Sequence, residues 1–177
     1  MLLSHDTETG MRAAIALVNS AEEPDTLVAV EQLSDFFAEY DYTGRFDGDD
    51  AELQGVRRLR PLLRRLFTST RDDAVAIVNQ LLDDNDAHPN LVRHGDTDWH
   101  LHAVTADRPF ATRIAVETAM AMIDVIRLDE MSRLAVCADF DCDGLVFDLS
   151  RNRSRRFCST ACGNRVAVAA YRARRSS

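Results

Sequence analysis

Four cysteines are the residues of this sequence whose spacing most clearly points to chemistry. Cys137 and Cys142 have the spacing C-x4-C, fifteen residues follow, and Cys158 and Cys162 have the spacing C-x3-C. Two short-range pairs of this kind can supply four thiolates in a tetrahedron, which is the ligand set of structural Zn²⁺ sites. The spacing therefore predicts one Zn²⁺ ion bound by these four cysteines.

The same ligand set indicates what the metal would do. When four cysteines fill the coordination sphere, no position is left for water or substrate, so the site is structural rather than catalytic. Two alternatives stay open from the residues alone: four buried, reduced cysteines without a metal, and an iron–sulfur cluster. The pairing of the cysteines favours a metal, and the lack of an accompanying redox motif favours zinc.

The residues around the cysteines predict the elements that position them. Residues 138–141 form a short polar loop, and Leu145–Phe147 is typical of a strand. Ser159 is a suitable N-cap for a helix that runs to about Arg174, which places Cys162 in the first helical turn. These features predict a treble-clef-like four-cysteine zinc finger.

Charge is distributed unevenly along the chain. The 177 residues have a net charge of −8, and all 21 basic residues are arginine. Residues 151–177 hold eight arginines and no acidic residue, which leaves 13 arginines against 29 acidic residues in residues 1–150. A basic end on an acidic body is typical of a surface that contacts nucleic acid, and the alternative is a solvated basic tail.

The N-terminal part has the apolar periodicity of helices. The predicted helices are residues 11–19, 25–40, 49–67, 70–83 and 110–133. Asp49 followed by Glu52 resembles a capping box, and Pro61 predicts a kink or a break near Arg60. We therefore predict a mainly α fold with small β-hairpins, divided into a helical domain at residues 1–131 and a finger at residues 132–177.

One β-hairpin is predicted within the helical domain. Residues 91–94 and 99–105 flank the turn His94-Gly95-Asp96-Thr97-Asp98. His100 and His102 alternate along the second strand, with His94 across the hairpin. A second metal site is conceivable here, but an exposed polar strand face is the favoured interpretation because no carboxylate stands at ligand spacing.

The N-terminal residues do not have the pattern of a targeting segment. A signal peptide needs a basic end and then an apolar run, whereas His5, Asp6 and Glu8 stand here. No uncharged stretch approaches the roughly 20 apolar residues of a membrane span. We therefore expect a soluble, cytoplasmic protein with no membrane partner.

The second cysteine pair carries a resemblance to a known family. Residues 158–165, Cys-Ser-Thr-Ala-Cys-Gly-Asn-Arg, resemble the signature of the CGNR zinc-finger family, and residues 147–157 resemble the run that precedes its third cysteine. Members usually carry an N-terminal helical domain called ABATE, described as a stress-induced transcription regulator, and residues 15–20 are similar to its start. The resemblance implies a bacterial DNA-binding regulator.

The residues predicted to contact duplex DNA lie in the loop before Cys158 and on the last helix. The loop arginines, which favour phosphate contacts over solvation alone, are Arg151, Arg153, Arg155 and Arg156. Arg165 and Arg172 share one face of the helix, and Asn164 or Arg165 could contact bases. The alternative for Asn164 and Arg165 is a hydrogen-bonded brace between the two zinc loops.

A second stripe of the last helix is small and apolar. Cys162, Val166, Ala169 and Ala173 lie along it, and we expect this stripe to pack on the zinc core.

The leading function is transcription regulation by DNA binding, with the N-terminal domain as a sensor or interaction platform for a small-molecule or protein effector. The alternative is a zinc-stabilised protein-interaction module without specific DNA binding. The sequence has no nucleophile elbow, phosphate-binding loop or paired-carboxylate motif, so we predict that the protein is not an enzyme. No feature of the sequence specifies an oligomeric state.

Overall fold

The computed structural model of the protein describes residues 3–93 and 99–176. The helices of this part are α1 (His5–Asn19), α2 (Val30–Glu39), α3 (Asp50–Thr68), α4 (Arg71–Asp84), α5 (Phe110–Arg127) and α6 (Thr160–Ser176), with a 3₁₀ turn at Met131–Arg133. The strands are β1 (Asn90–Val92), β2 (His100–His102), β3 (Leu134–Val136) and β4 (Leu145–Phe147). Strands β1 and β2 form one antiparallel hairpin, and β3 and β4 form another. The predicted mainly α fold with small β-hairpins is confirmed.

Helix starts follow the N-caps that the sequence indicates. The Asp49 carboxylate accepts the backbone N–H of Glu52 at 2.8 Å, which satisfies a donor that has no partner within the helix. The Glu52 carboxylate in turn accepts the N–H groups of Asp47 and Gly48, both at 2.8 Å. The predicted α3 start is therefore correct. In a capping box the Glu52 side chain would accept the N–H of Asp49, whereas here it accepts the N–H groups of the two residues before Asp49.

Of the kink or break predicted near Arg60, the break does not occur. Helix α3 continues through Pro61 to Thr68. Pro61 is exposed, so the carbonyl group that lacks a helical donor there can be hydrated.

Helix α5 lies at the centre of the helical part, with α1, α3 and α4 packed around it. Phe110, Ile114 and Met122 of α5 are fully buried. Each buried side chain of this size contributes roughly 1.5–3 kcal/mol relative to an exposed one. The rings around Phe110 include Tyr42, whose centroid lies 4.8 Å away in an edge-on arrangement. These contacts account for the apolar periodicity of residues 110–133.

The first hairpin forms where the sequence predicts it, with shorter strands. Asn90 lies opposite His102, and Val92 lies opposite His100. The predicted turn at residues 94–98 lies outside the described residues.

The second hairpin packs into the helical part. Leu145 and Phe147 are buried in the same hydrophobic core as α1, α3 and α5. The Asn19 side chain, at the end of α1, donates to the Leu145 carbonyl at 2.9 Å and accepts the Leu145 N–H at 2.6 Å. Packing therefore crosses the predicted domain boundary between residues 131 and 132. The boundary itself stays a prediction.

None of the helices in the described part of the chain is long and apolar enough to cross a membrane.

Candidate metal centre

The β3–β4 hairpin positions the first cysteine pair. The N–H of Cys137 donates to the Gly144 carbonyl at 2.7 Å, which closes the loop that contains Cys142. A Cβ atom at Gly144 would lie 3.0 Å from Cys158 Sγ and 3.2 Å from Cys142 Sγ. These separations are tighter than most Cβ contacts, so a larger residue here would push the two sulfurs apart by a few tenths of an ångström.

The loop after β4 positions the second pair. The Asp148 carboxylate accepts the N–H groups of Ser150 at 2.7 Å and Arg155 at 2.8 Å, which folds the loop back toward α6. Ser159 Oγ accepts the N–H of Cys162 at 3.2 Å. The predicted N-cap is therefore present, and it places Cys162 in the first turn of α6.

The four cysteine sulfurs converge on one point. All four Sγ atoms lie within 4.8 Å of one another. The Cys142 and Cys158 sulfurs are 3.5 Å apart, and those of Cys158 and Cys162 are 3.6 Å apart. Ligands about 2.3 Å from a tetrahedral Zn²⁺ would be separated by about 3.8 Å. The cluster that includes Cys137 therefore fits the predicted Zn²⁺ ion.

The thiol groups also show why this cluster calls for a cation. Burial raises the pKa of Cys158 well above its usual range, and the neighbouring sulfurs raise it further. Burial raises the pKa of Cys142 as well. Burial also acts to raise the pKa of Cys137, but the N–H groups of Cys158 and Asp139 together with the neighbouring thiols lower it by more. Since adjacent like charges oppose ionisation, four thiolates at this spacing need a central cation, which Zn²⁺ supplies when bound.

Arg165 connects the two cysteine loops. Its Nε donates to the Asp139 carboxylate at 2.6 Å, and its Nη2 donates to Cys162 Sγ at 3.3 Å. The Asp139 side chain is fully buried, whereas the Arg165 side chain remains about half exposed. This geometry matches the alternative role of Arg165, a hydrogen-bonded brace between the two zinc loops. The contact of Arg165 with DNA stays a prediction.

Two of the loop arginines also have partners within the protein. The guanidinium of Arg153 donates to Ser132 Oγ and, at 2.7 Å, to the buried Glu130 carboxylate. The guanidinium of Arg155 donates to the carbonyl groups of Phe157 at 3.3 Å and Cys158 at 3.1 Å. Both side chains therefore stabilise the finger itself.

The other predicted DNA-contacting residues lie at the surface. Arg151, Asn164 and Arg172 are exposed, and so is Arg156, whose guanidinium lies 6.0 Å from the Phe157 ring centroid. They belong to the same C-terminal segment as the metal centre, so all seven predicted residues lie around one finger.

Three residues that the sequence reasoning missed help to hold the metal centre in place. They are Asn19, Glu130 and Asp139. Asp139 was recognisable as part of a polar loop, but its partner Arg165 is 26 residues away. Asn19 and Leu145 are separated by 126 residues, and no local pattern marks such a pair.

Together the fold and the site define a class: a helical protein that carries a four-cysteine, treble-clef-like zinc finger. The model of the family called ABATE, described as "Putative stress-induced transcription regulator", matches residues 11–129. The model described as CGNR zinc finger matches residues 133–175. The chain therefore belongs to the ABATE family and carries a CGNR zinc finger, as the sequence resemblance predicted. Among curated proteins, no sequence matches this chain.

Proposed function

We propose that this protein is a bacterial, cytoplasmic transcription regulator that binds duplex DNA through its C-terminal finger. In this proposal Cys137, Cys142, Cys158 and Cys162 hold one structural Zn²⁺ ion. Residues 132–177 form the DNA-binding domain, and residues 1–131 form a sensor or interaction domain without enzymatic activity. The family descriptions support a regulator with a zinc finger.

The observation that carries the proposal is the exposure of an acid-free basic surface. Residues 151–156 are all exposed, and every described side chain from residue 167 to 175 is exposed as well. Arginine is the only charged residue in residues 151–177. Exposed guanidinium groups attract phosphates and release counterions from DNA when they bind.

The arginines should then divide into two groups. Arg151, Arg156 and Arg172 are candidates for phosphate contacts, because they are exposed on the basic surface of the finger. Arg153, Arg155 and Arg165 act first within the finger, and their exposed portions can add phosphate contacts. Asn164, exposed in the first turns of α6, is the remaining candidate for a base contact.

An effector would bind to the N-terminal domain. A cleft of about 260 Å³ lies between α1 and α2. Ala16 and Ser20 line it on either side of Asn19 in the sequence, and Asn19 holds the Leu145 backbone of the finger. A ligand in this cleft could therefore change how the finger is held against the helical part.

The alternative is a protein-interaction module, and one observation favours it. Phe140, at the tip of the first cysteine loop, is 81% exposed, and Tyr171 on α6 is 54% exposed. Exposed aromatic side chains are enriched where proteins bind one another.

The test is binding of the full, zinc-loaded chain to random-sequence duplex DNA across a salt series. We expect affinity to fall steeply with salt. The triple variant Arg151→Ala, Arg156→Ala, Arg172→Ala should flatten the slope of log affinity against log salt by up to about three units. The exposed Arg58→Ala variant on α3 is the matched control and should leave the slope unchanged.

Absent or salt-insensitive binding by the zinc-loaded chain would overturn the DNA proposal and favour the protein-interaction alternative. Arg165→Ala separates the two roles of that residue. We expect it to lower zinc retention and the melting temperature, with DNA affinity lost as a consequence. Weakened DNA binding with zinc content and melting temperature intact would instead assign Arg165 to a direct contact.

A further inference from the structure

The β1–β2 hairpin exposes its two leucines, whereas its two histidines are partly buried. Leu91 and Leu101, which face each other across the hairpin, are 66% and 48% exposed. His100 and His102, on the opposite face of β2, are half-buried. A hairpin on a helical core is expected to have the reverse orientation, with leucine inward. The imidazoles, rather than the leucines, therefore occupy the inward position.

The two imidazoles meet at their ligand atoms. His100 Nε2 and His102 Nε2 lie 3.1 Å apart, and the ring planes are inclined by 65°. Two nitrogen ligands at 2.0–2.1 Å from a Zn²⁺-like ion, at angles between octahedral and tetrahedral, are separated by roughly 2.8–3.4 Å. The observed separation falls within that range.

We propose that His100 and His102 bind one divalent first-row transition metal ion through their Nε2 atoms, at a site separate from the four cysteines. Imidazole nitrogen suits Zn²⁺, Ni²⁺ and Cu²⁺, whereas Mg²⁺ and Ca²⁺ prefer oxygen ligands. The competing explanation is a simple hydrogen bond in which one Nε2–H donates to the other Nε2. The two explanations differ in whether a metal ion binds.

A carboxylate near His100 and His102 would favour the binding of a metal cation by these two side chains. Burial raises the pKa of Glu117 on α5 to about 7, and the charges of Arg113 and His100 act in the opposite direction. Glu117 is therefore close enough to His100 to interact with its charge. Within the described residues, only the cysteines form a group of three or more ligand atoms within 4.8 Å. Among the residues that the structure describes, the protein ligands of the ion would thus be His100 and His102.

This inference does not depend on DNA binding. If the DNA-binding proposal and this metal site both hold, the N-terminal domain senses a transition metal ion. Such an ion would then be the chemical class of its effector.

Equilibrium dialysis of the zinc-loaded full chain against Ni²⁺ tests the inference, with zinc and nickel both measured per chain. We expect one zinc and one nickel in the wild-type chain. His100→Asn and His102→Asn should each weaken nickel binding at least tenfold and keep one zinc. The matched control is His5→Asn, because His5 is an exposed histidine on a different element, at the start of α1.

Three results would overturn the inference: no nickel in the wild-type chain, equal nickel in the His100→Asn, His102→Asn double variant, or nickel gained only as zinc is lost. If the variants fail to fold, the wild-type chain still decides. Titration with Zn²⁺ beyond one equivalent should shift the ¹⁵N resonances of His100 and His102 Nε2, and unshifted resonances would contradict metal binding.

The Glu117→Gln variant tests whether the Glu117 carboxylate contributes to metal binding. We expect a smaller loss of nickel affinity than in the ligand variants, because Glu117 interacts with the charge of His100 and is not itself a ligand. An unchanged affinity would contradict the role given to Glu117.

Discussion

The two halves of the finger differ in how they are attached to the rest of the molecule. Leu145 and Phe147 of the β3–β4 hairpin are 2% and 6% exposed and pack into the core of the helical part. Val168 and Tyr171 of α6 are 47% and 54% exposed. The β3–β4 hairpin is therefore the anchored half of the finger, and α6 is the half presented to solvent. The cysteine cluster joins the anchored half to the presented half.

This difference explains how α6 is held. The stripe expected to pack on the zinc core is half-buried at Val166, whereas Ala169 and Ala173 are exposed. In proteins, most of the stability of a helix comes from tertiary packing of one face, and little of α6 is packed in this way. The position of α6 therefore depends on its first turn, where Cys162, the Ser159 cap and Arg165 lie.

Removal of one cysteine should have the largest effect, because the cysteine cluster connects the β3–β4 hairpin to α6. Cys162→Ser should abolish zinc binding, unfold α6 and lower the melting temperature by on the order of 10 °C, since metal binding and folding are coupled in such modules. Helices α1–α5 should persist, because α5 and its neighbours form most of the core. Metal analysis and circular dichroism check this. Retention of one zinc with α6 intact would contradict it.

A pair of truncations compares the anchored half with the presented half directly. Phe147→Ala should destabilise the protein by about 3–5 kcal/mol, because it leaves a cavity in the shared core. Val168→Ala on α6 should change stability by less than about 0.5 kcal/mol, as surface substitutions usually do. Urea unfolding measures both. Similar values for the two variants would remove the distinction.

The contact between Asn19 and the hairpin should have a smaller effect. Asn19→Ala should cost about 1–3 kcal/mol, because it leaves the N–H and carbonyl groups of Leu145 without their protein partner. The exposed Asn79→Ala variant on α4 is the matched control and should be near neutral. If α6 is held by the zinc site alone, Asn19→Ala should lower stability without reducing zinc content. A loss of zinc in this variant would show that anchoring and metal binding are coupled.

Features that depend on neighbours in sequence were predictable. The Ser159 cap, the α3 start at Asp49 and the paired cysteines each involve residues within five positions of one another. The sequence predicted a kink or a break at Pro61 within this helix and did not specify that α3 continues through it, because that depends on which side of the helix faces solvent. The exposure of Ala169 and Ala173 was not predicted either, since a helical stripe shows which residues share a face but not whether anything covers it.

The sequence by itself determined the ligand set, the helical character and the basic C-terminal segment, because residue type and local spacing specify these properties. Only the tertiary structure decided that Arg165 reaches Asp139, that Asn19 holds Leu145 and that the histidines of β2 are partly buried. Each of these depends on how elements distant in the chain pack together. Packing is set by the whole core, and no short segment of the sequence contains it.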